Sequence, residues 1–283
     1  MKLVTWNTQS CKGLDGSVSP ARILEHARAL ADFDVLCLQE IADGYPGLTG
    51  TAEPDQPAAI AALLPGFRVF FGPSVDEFDG DGTRRRFGNL VATRLPVAQV
   101  QHHPLPCPPD PGVESMPRMC TVVTVLDPGL GAVRIMTTHL EFYSRPQRLA
   151  QARALRTLHL AYAAQAAAPP KVVADGSPTG PKRLTAEAIL CGDCNTEPGT
   201  AEYAAITEPS APGSLWDGWP LVHGSAPQVP TFCVHEQKYL PRPAAFDFVF
   251  VSDGLKGRVR RLAVDGRTQA SDHQPVAVEL DGG

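Results

Sequence analysis

Lysine is scarce in this chain: it supplies six of the 25 basic residues, and the net charge is −5. That balance argues against contact with nucleic acid through a broad basic face and leaves open only a local basic mouth. Long apolar runs are also missing, and none approaches the roughly 20 residues of a membrane span. The opening Met1-Lys2-Leu3-Val4-Thr5-Trp6-Asn7 lacks the apolar core and small-residue cleavage site of a signal peptide. The expectation is a cytoplasmic, monomeric protein with no stable membrane association. Seven cysteines make an odd count without framework spacing, which speaks against a disulfide scaffold and fits reduced thiols. What is present is 43% hydrophobic content over 283 residues, enough for a sizeable core, and a single domain over residues 1–283 is expected.

The most informative stretch is Ala188-Ile189-Leu190-Cys191-Gly192-Asp193-Cys194-Asn195. Its apolar start reads as a short buried strand. Side chains two apart in an extended chain share a face, so Asp193 and Asn195 stand side by side at the strand's end. Open α/β sheets place their chemistry at such ends. The same pattern recurs along the chain. Lys2 to Trp6 reads as a strand ending on Asn7, and Val35 to Leu38 as a buried strand ending on Gln39-Glu40. Ala132 to Thr137, paired as a hairpin with Arg118 to Leu126, ends in Thr138-His139. A carboxylate capping an apolar strand is costly unless something cationic meets it.

Other segments frame these ends. Helices are expected from Pro20, with Ile23, Leu24, Ala27 and Leu30 on one face, over Ala58 to Leu64, and from Arg145-Pro146 as the longest helix, with Leu149, Ala152, Leu155, Leu158 and Tyr162 in register. Arg148 and Gln151 lie on the first turns of that last helix, near the His139 strand end. Further strands are read at Phe67 to Phe71, Gly88 to Thr93, Val97 to His102, Ala245 to Val251, Arg258 to Val264 and Val276 to Leu280. Residues 41–57, 72–86 and 207–245 read as loops, and 169–186 as a mobile insertion. The Arg84-Arg85-Arg86 triplet ahead of the Asn89 strand is a candidate rim for receiving phosphate. Cys191 and Cys194 form a Cys-x-x-Cys, but no second pair accompanies them. Their separation in a strand also puts the sulfurs on opposite faces, so Cys194 is read as core.

Trp6-Asn7, Gln39-Glu40, Gly88-Asn89, Thr138-His139-Leu140, Gly192-Asp193-Cys194-Asn195, Phe246-Asp247-Phe248-Val249 and Ser271-Asp272-His273-Gln274-Pro275 follow one another in this order. The set resembles the endonuclease/exonuclease/phosphatase superfamily over nearly the whole chain. The resemblance implies a four-layer α/β sandwich, with two mixed β-sheets face to face and helices outside. It also implies a metal-dependent phosphoesterase that hydrolyses a phosphodiester by water attack on phosphorus, with Mg²⁺ as the ion and Mn²⁺ as its alternative. Glu40 would be the main metal ligand, with Asn7 and Asp272 beside it. His273 would take the proton of the attacking water or hold the phosphate, oriented by Asp247. Asp193 would activate or position the water, Asn195 would bind a phosphate oxygen, and His139 would contact the phosphate or protonate the leaving oxygen. Asp193 and His273 both stand as candidates for the base.

Asn89, Arg148, Arg84, Arg85 and Arg86 are the expected substrate-binding residues. Gln9 departs from the acidic residue that several nuclease relatives carry after Trp-Asn, which weakens a second metal contact. The expected partner is a phosphate ester, a small molecule or a short single-stranded nucleic acid. A lipid or inositol phosphate is the alternative substrate, and a catalytically silent phosphate-binding module the alternative role.

Overall fold

Strand β1 (Lys2–Asn7) is buried from Leu3 onward and lies inside its sheet, parallel to β2 (Val35–Asp43) on one side and antiparallel to β12 (Val276–Leu280) on the other. Between β1 and β2 the chain makes helix α1 (Pro20–Leu30), where Pro20 presets the first turn and the Ser19 hydroxyl accepts from the Arg22 amide at 3.2 Å. Then come α2 (Pro46–Thr49), α3 (Gln56–Leu63), β3 (Arg68–Phe78), β4 (Arg84–Thr93), β5 (Val97–Pro104), β6 (Met119–Asp127) and β7 (Gly131–His139). The long helix α4 (Arg145–Ala167) is capped by Ser144. After it follow β8 (Ala188–Asp193), α5 (Ala201–Thr207), β9 (Leu215–Asp217), α6 (Gly218–His223), β10 (Asp247–Ser252) and β11 (Val259–Val264). The computed structural model describes residues 1–49, 54–173, 176–210 and 213–282. Residues 50–53, 174–175 and 211–212, which fall in the expected 41–57, 169–186 and 207–245 segments, lie outside the described residues.

Two six-stranded mixed sheets result, ordered β11-β12-β1-β2-β4-β3 and β5-β6-β7-β8-β10-β9. Alternation along the strands sorts the apolar side chains into layers. Leu3, Val35, Cys37 and Val91 of the first sheet meet Val123, Ile135, Cys191 and Val249 of the second in the central core. The opposite face of the first sheet packs Val4, Leu36, Leu38 and Leu90 with Ile23, Leu24 and Ile60 of α1 and α3. The outer face of the second packs Leu190, Cys194, Phe248 and Phe250 with Leu155 and Ile206 of α4 and α5. This is the four-layer sandwich. Cys191 and Cys194 do fall on opposite faces, and no disulfide links the seven cysteines.

Several local expectations are corrected. Residues 72–86 are not a loop: β3 runs to Phe78 and β4 begins at Arg84, so they form an edge hairpin. Its polarity reflects an exposed edge rather than absence of structure. β2 does not end on Glu40 but continues to Asp43 through a register shift against β4 between Leu38 and Ile41. Within the 207–245 segment β9 and α6 add a short strand and a helical turn. Among the described residues of 169–186 beyond α4 there is neither helix nor strand.

Candidate active site

The polar strand ends converge at one end of the sandwich. Asn7 (end of β1), Asp193 (end of β8), Asp247 (start of β10) and His139 (end of β7) are all buried, because pairing β8 with both β7 and β10 sets Asp193 opposite His139 and Asp247. Glu40 arrives differently. It sits at the β2 irregularity with φ 59°, a left-handed backbone that a non-glycine residue adopts at a cost, and the bulge re-aims its side chain. Asn195 is likewise left-handed at φ 48°, and its backbone amide donates to Asp193 Oδ1 at 2.9 Å.

The contacts form one network. His273 Nδ1 lies 2.8 Å from Asp247 Oδ2, and its Nε2 lies 3.5 Å from Asp193 Oδ2. His139 Nε2 approaches Asp193 Oδ2 at 3.3 Å, while its Nδ1 is 3.9 Å from Glu40 Oε1. Asn7 Nδ2 donates to Glu40 Oε1 at 3.0 Å and to Asp193 Oδ2 at 2.9 Å. Gln9 Nε2 donates to Asp272 Oδ2 at 2.9 Å, so the residue that departs from the superfamily pattern is tied to a candidate ligand. Ser271 Oγ donates to Asn7 O at 2.8 Å and Trp6 Nε1 to His273 O at 2.9 Å, fastening the last loop onto β1.

Electrostatically the site is overloaded with carboxylates. Burial pushes Asp193 up to about 7, with Asp247 adding to the effect. Burial and then the neighbouring Asp272 raise Glu40, and burial raises Asp272. Burial opposes protonation of His273, but Asp247 and Asp193 outweigh it and hold the imidazole well above its ordinary value. His139 is held well below its ordinary value by burial, then by the charge of Arg118.

These groups open onto a cavity of about 360 Å³, lined by Glu40, His139, Asp193, Asn195, Asp272 and His273 at its base. Its upper wall is aromatic. Phe232 lies over the His273 ring at 4.4 Å, and Phe142, Tyr143 and Tyr239 extend that wall towards solvent. Lys12, Lys238 and Arg118 also line it. Arg118 is buried, its Nε bound to Glu141 Oε2 at 3.1 Å, and its Nη1 has no partner among the described residues.

A family model described as the Endonuclease/Exonuclease/phosphatase family matches residues 4–273. The chain belongs to that family. The Endonuclease/Exonuclease/phosphatase family comprises hydrolases acting on phosphoester bonds. Among solved structures, an endonuclease/exonuclease/phosphatase from Beutenbergia cavernae is 25% identical, with TM-score 0.68, and the match covers 98% of this chain and 70% of that one. A mannosyl-6-phosphatase from Bacteroides thetaiotaomicron is 19% identical (TM-score 0.68, 99% of each chain). A 3′ phosphatase from Neisseria bound to a product DNA hairpin is 20% identical (TM-score 0.59, 99% of each chain). Comparison with curated proteins gives no match.

Not every residue expected at the site of this family member lines the cavity. Asn89 Nδ2 donates to Met119 O at 3.0 Å and ties the two sheets together. Arg148 Nη1 donates to Glu141 O and Phe142 O at 2.8 and 2.7 Å, so it clamps the turn after His139. Gln151 accepts from the Glu141 amide in that same turn. The arginine triplet is neutralised on the edge hairpin: Arg84 pairs with Asp76, Arg85 with Asp79 and Arg86 with Asp43. Replacing all three with glutamine is expected to leave KM within about twofold and to lower Tm only slightly, since solvent screens exposed ion pairs. Steady-state kinetics and thermal melts check this, and a marked rise in KM for anionic substrates would return the triplet to the site.

Sequence reasoning missed Arg118, Lys12, Lys238 and the aromatic wall. The one available signal was Arg118 together with Glu141, two charges flanking apolar strands as Glu40 and His139 do. The aromatic residues come from loops whose approach to the cleft only the fold reveals.

Proposed function

We propose that the chain is a divalent-metal-dependent phosphoesterase that cleaves a small phosphodiester, or the end of a short single strand, by water attack on phosphorus. The observation that carries this is the chain Asp247–His273–Asp193, with Asn7 and Glu40 alongside, at the base of a single cavity. The donor set fits a hard cation. Glu40 and Asp272 present carboxylates that are pushed up by burial first and by a neighbouring carboxylate second, and a divalent ion would relieve both costs. Asn7 now offers Nδ2 to Glu40 and Asp193, and turning its carboxamide over would offer Oδ1 to the cation instead. Asp193, Asp247 and His273 also lie close enough to share an ion, but the 2.8 Å contact of His273 with Asp247 reads better as an acid–base pair.

Mg²⁺, or Mn²⁺ in its place, would supply charge stabilisation at the phosphate oxygens. Asp247 accepts the Nδ1 proton of His273, whose charged imidazole would hold the phosphate through Nε2, and Asp193 Oδ2 would orient and deprotonate the attacking water. Asn195 and Arg118 would donate to phosphate oxygens, and His139 would serve the leaving oxygen. A cavity of about 360 Å³ with an aromatic wall fits one ring-bearing phosphoester rather than a duplex. Among the described residues no helix is long and apolar enough to cross a membrane. Seven cysteines without a disulfide support a cytoplasmic setting.

The test is a divalent-metal screen with bis-p-nitrophenyl phosphate, p-nitrophenyl phosphate, single- and double-stranded DNA, RNA and sphingomyelin. Diester turnover that needs Mg²⁺ or Mn²⁺ is expected. Faster turnover of the monoester or of sphingomyelin would move the substrate class to a phosphatase or lipid type, and binding without hydrolysis under any ion would make the protein a silent module. Glu40→Gln is expected to shift the Mg²⁺ activation curve to at least about tenfold higher concentration, as loss of one charged ligand implies. An unchanged titration would remove Glu40 from the metal.

A further inference from the structure

Strand β7 and helix α4 both run from the cleft to the far end of the second sheet, where they frame a second cavity of about 320 Å³. Arg134 lies five residues before His139 on β7, so at about 3.3 Å per residue the two positions are about 17 Å apart. Arg134 is 2% exposed. Its Nη1 donates to Thr185 O at 2.5 Å, its Nη2 donates to Ala186 O at 3.4 Å and meets His159 Nδ1 at 3.3 Å, and the guanidinium lies 4.4 Å from the Tyr162 ring centroid.

No carboxylate pairs with it among the described residues, and its Nε has no partner there. Glu187 attracts it only through space, being bound to Ser252 Oγ at 2.6 Å. Burial lowers the guanidinium to about 10, so it stays charged at neutral pH. A buried cation without a counter-ion is costly in a chain with carboxylates to spare. Lys182 and Arg183 stand at the mouth, exposed, and make no hydrogen bond or ion pair among the described residues. Gln99, Gln101 and Gln165 complete a lining that contains no Asp or Glu.

We propose that this cavity binds a phosphate-sized oxyanion, free or as the phosphoryl group of a small metabolite, at a site separate from the catalytic cleft. Three cations and neutral amide donors around a half-enclosed space form the donor set that such an anion requires. The assignment does not depend on the function proposed for the cleft.

Metal-stripped protein removes the ion that would draw anions into the cleft, and His273→Ala controls for any anion that the cations lining the cleft still hold. Calorimetric titration of that protein with inorganic phosphate, pyrophosphate and glycerol phosphate is expected to show one binding event per chain. Tighter binding of glycerol phosphate assigns the site to a metabolite, and tighter binding of the inorganic ions to free anion. Lys182→Gln with Arg183→Gln should weaken binding by about tenfold or more, the scale of lost charge-assisted contacts, while metal-loaded turnover of the diester stays within about twofold. His273→Ala should leave the titration unchanged. Absence of binding in the metal-stripped wild type, equal affinity in the double variant, or loss of binding in His273→Ala would overturn the proposal.

Discussion

His273→Ala is expected to lower kcat on a phosphodiester by about 10²–10⁴-fold, the range a positioned proton-transfer or charge-stabilising group contributes. The size follows from how completely the imidazole is constrained. Asp247 Oδ2 holds Nδ1 at 2.8 Å, Phe232 covers the ring at 4.4 Å, and the Ser271 hydroxyl accepts from the His273 amide at 3.2 Å. The variant leaves a fully buried carboxylate, whose Oδ1 already lacks a partner among the described residues, without its Nδ1 contact as well. The Trp6 Nε1 bond to His273 O uses the backbone and survives, which favours a retained fold by circular dichroism. Asp247→Asn separates positioning from chemistry. It keeps the shape but removes the charge that raises His273, so kcat should fall while KM holds. Turnover within about threefold of wild type in His273→Ala would take this residue out of the reaction.

Much of this site was legible because apolar runs that stop on polar residues are unusual, and those before Asn7, Gln39-Glu40, Thr138-His139 and Asp193 all do so. The apolar runs located the strands for the same reason: a strand covered on both faces has no polar alternation to confuse the reading. What was illegible lies where tertiary structure overrides local pattern. Nothing in Leu38-Gln39-Glu40-Ile41 announces a left-handed residue, yet that bulge turns Glu40 to the cavity and lets β2 continue. The β3–β4 hairpin read as loop because its edge is laced with Asp–Arg pairs instead of apolar alternation. The same pairs removed the arginine triplet from the expected rim. Arg148 was placed near the right strand end, but its guanidinium went to backbone carbonyls, a choice that spacing on a helix does not encode.

Gly192→Ala is expected to cost about 2–4 kcal/mol, the range of strained-backbone and overpacked positions, and to lower Tm by about 5–12 °C for a domain of this size. Gly192 has φ +132°, and an added Cβ would lie 2.0 Å from Thr138 O on β7. That neighbour is backbone and cannot swing aside as a side chain would. Relief therefore requires β7 and β8 to separate at the Thr138–Gly192 pair, one step from the His139–Asp193 pair. The methyl group thus acts on chemistry through geometry: parting the strands widens the 3.3 Å approach of His139 Nε2 to Asp193 Oδ2 and loosens the pairing of Asp193 with Asp247. Activity measured well below the lowered Tm should then fall by more than the unfolded fraction explains, since active sites tolerate misplacement of little more than about 0.5 Å. Gly257→Ala, where the added carbon meets open space, serves as the control and should leave both Tm and turnover near wild type. A Gly192→Ala protein melting within about 2 °C of wild type would mean that β7 and β8 yield cheaply, and that the close packing of these strands is not what holds His139 and Asp193 together.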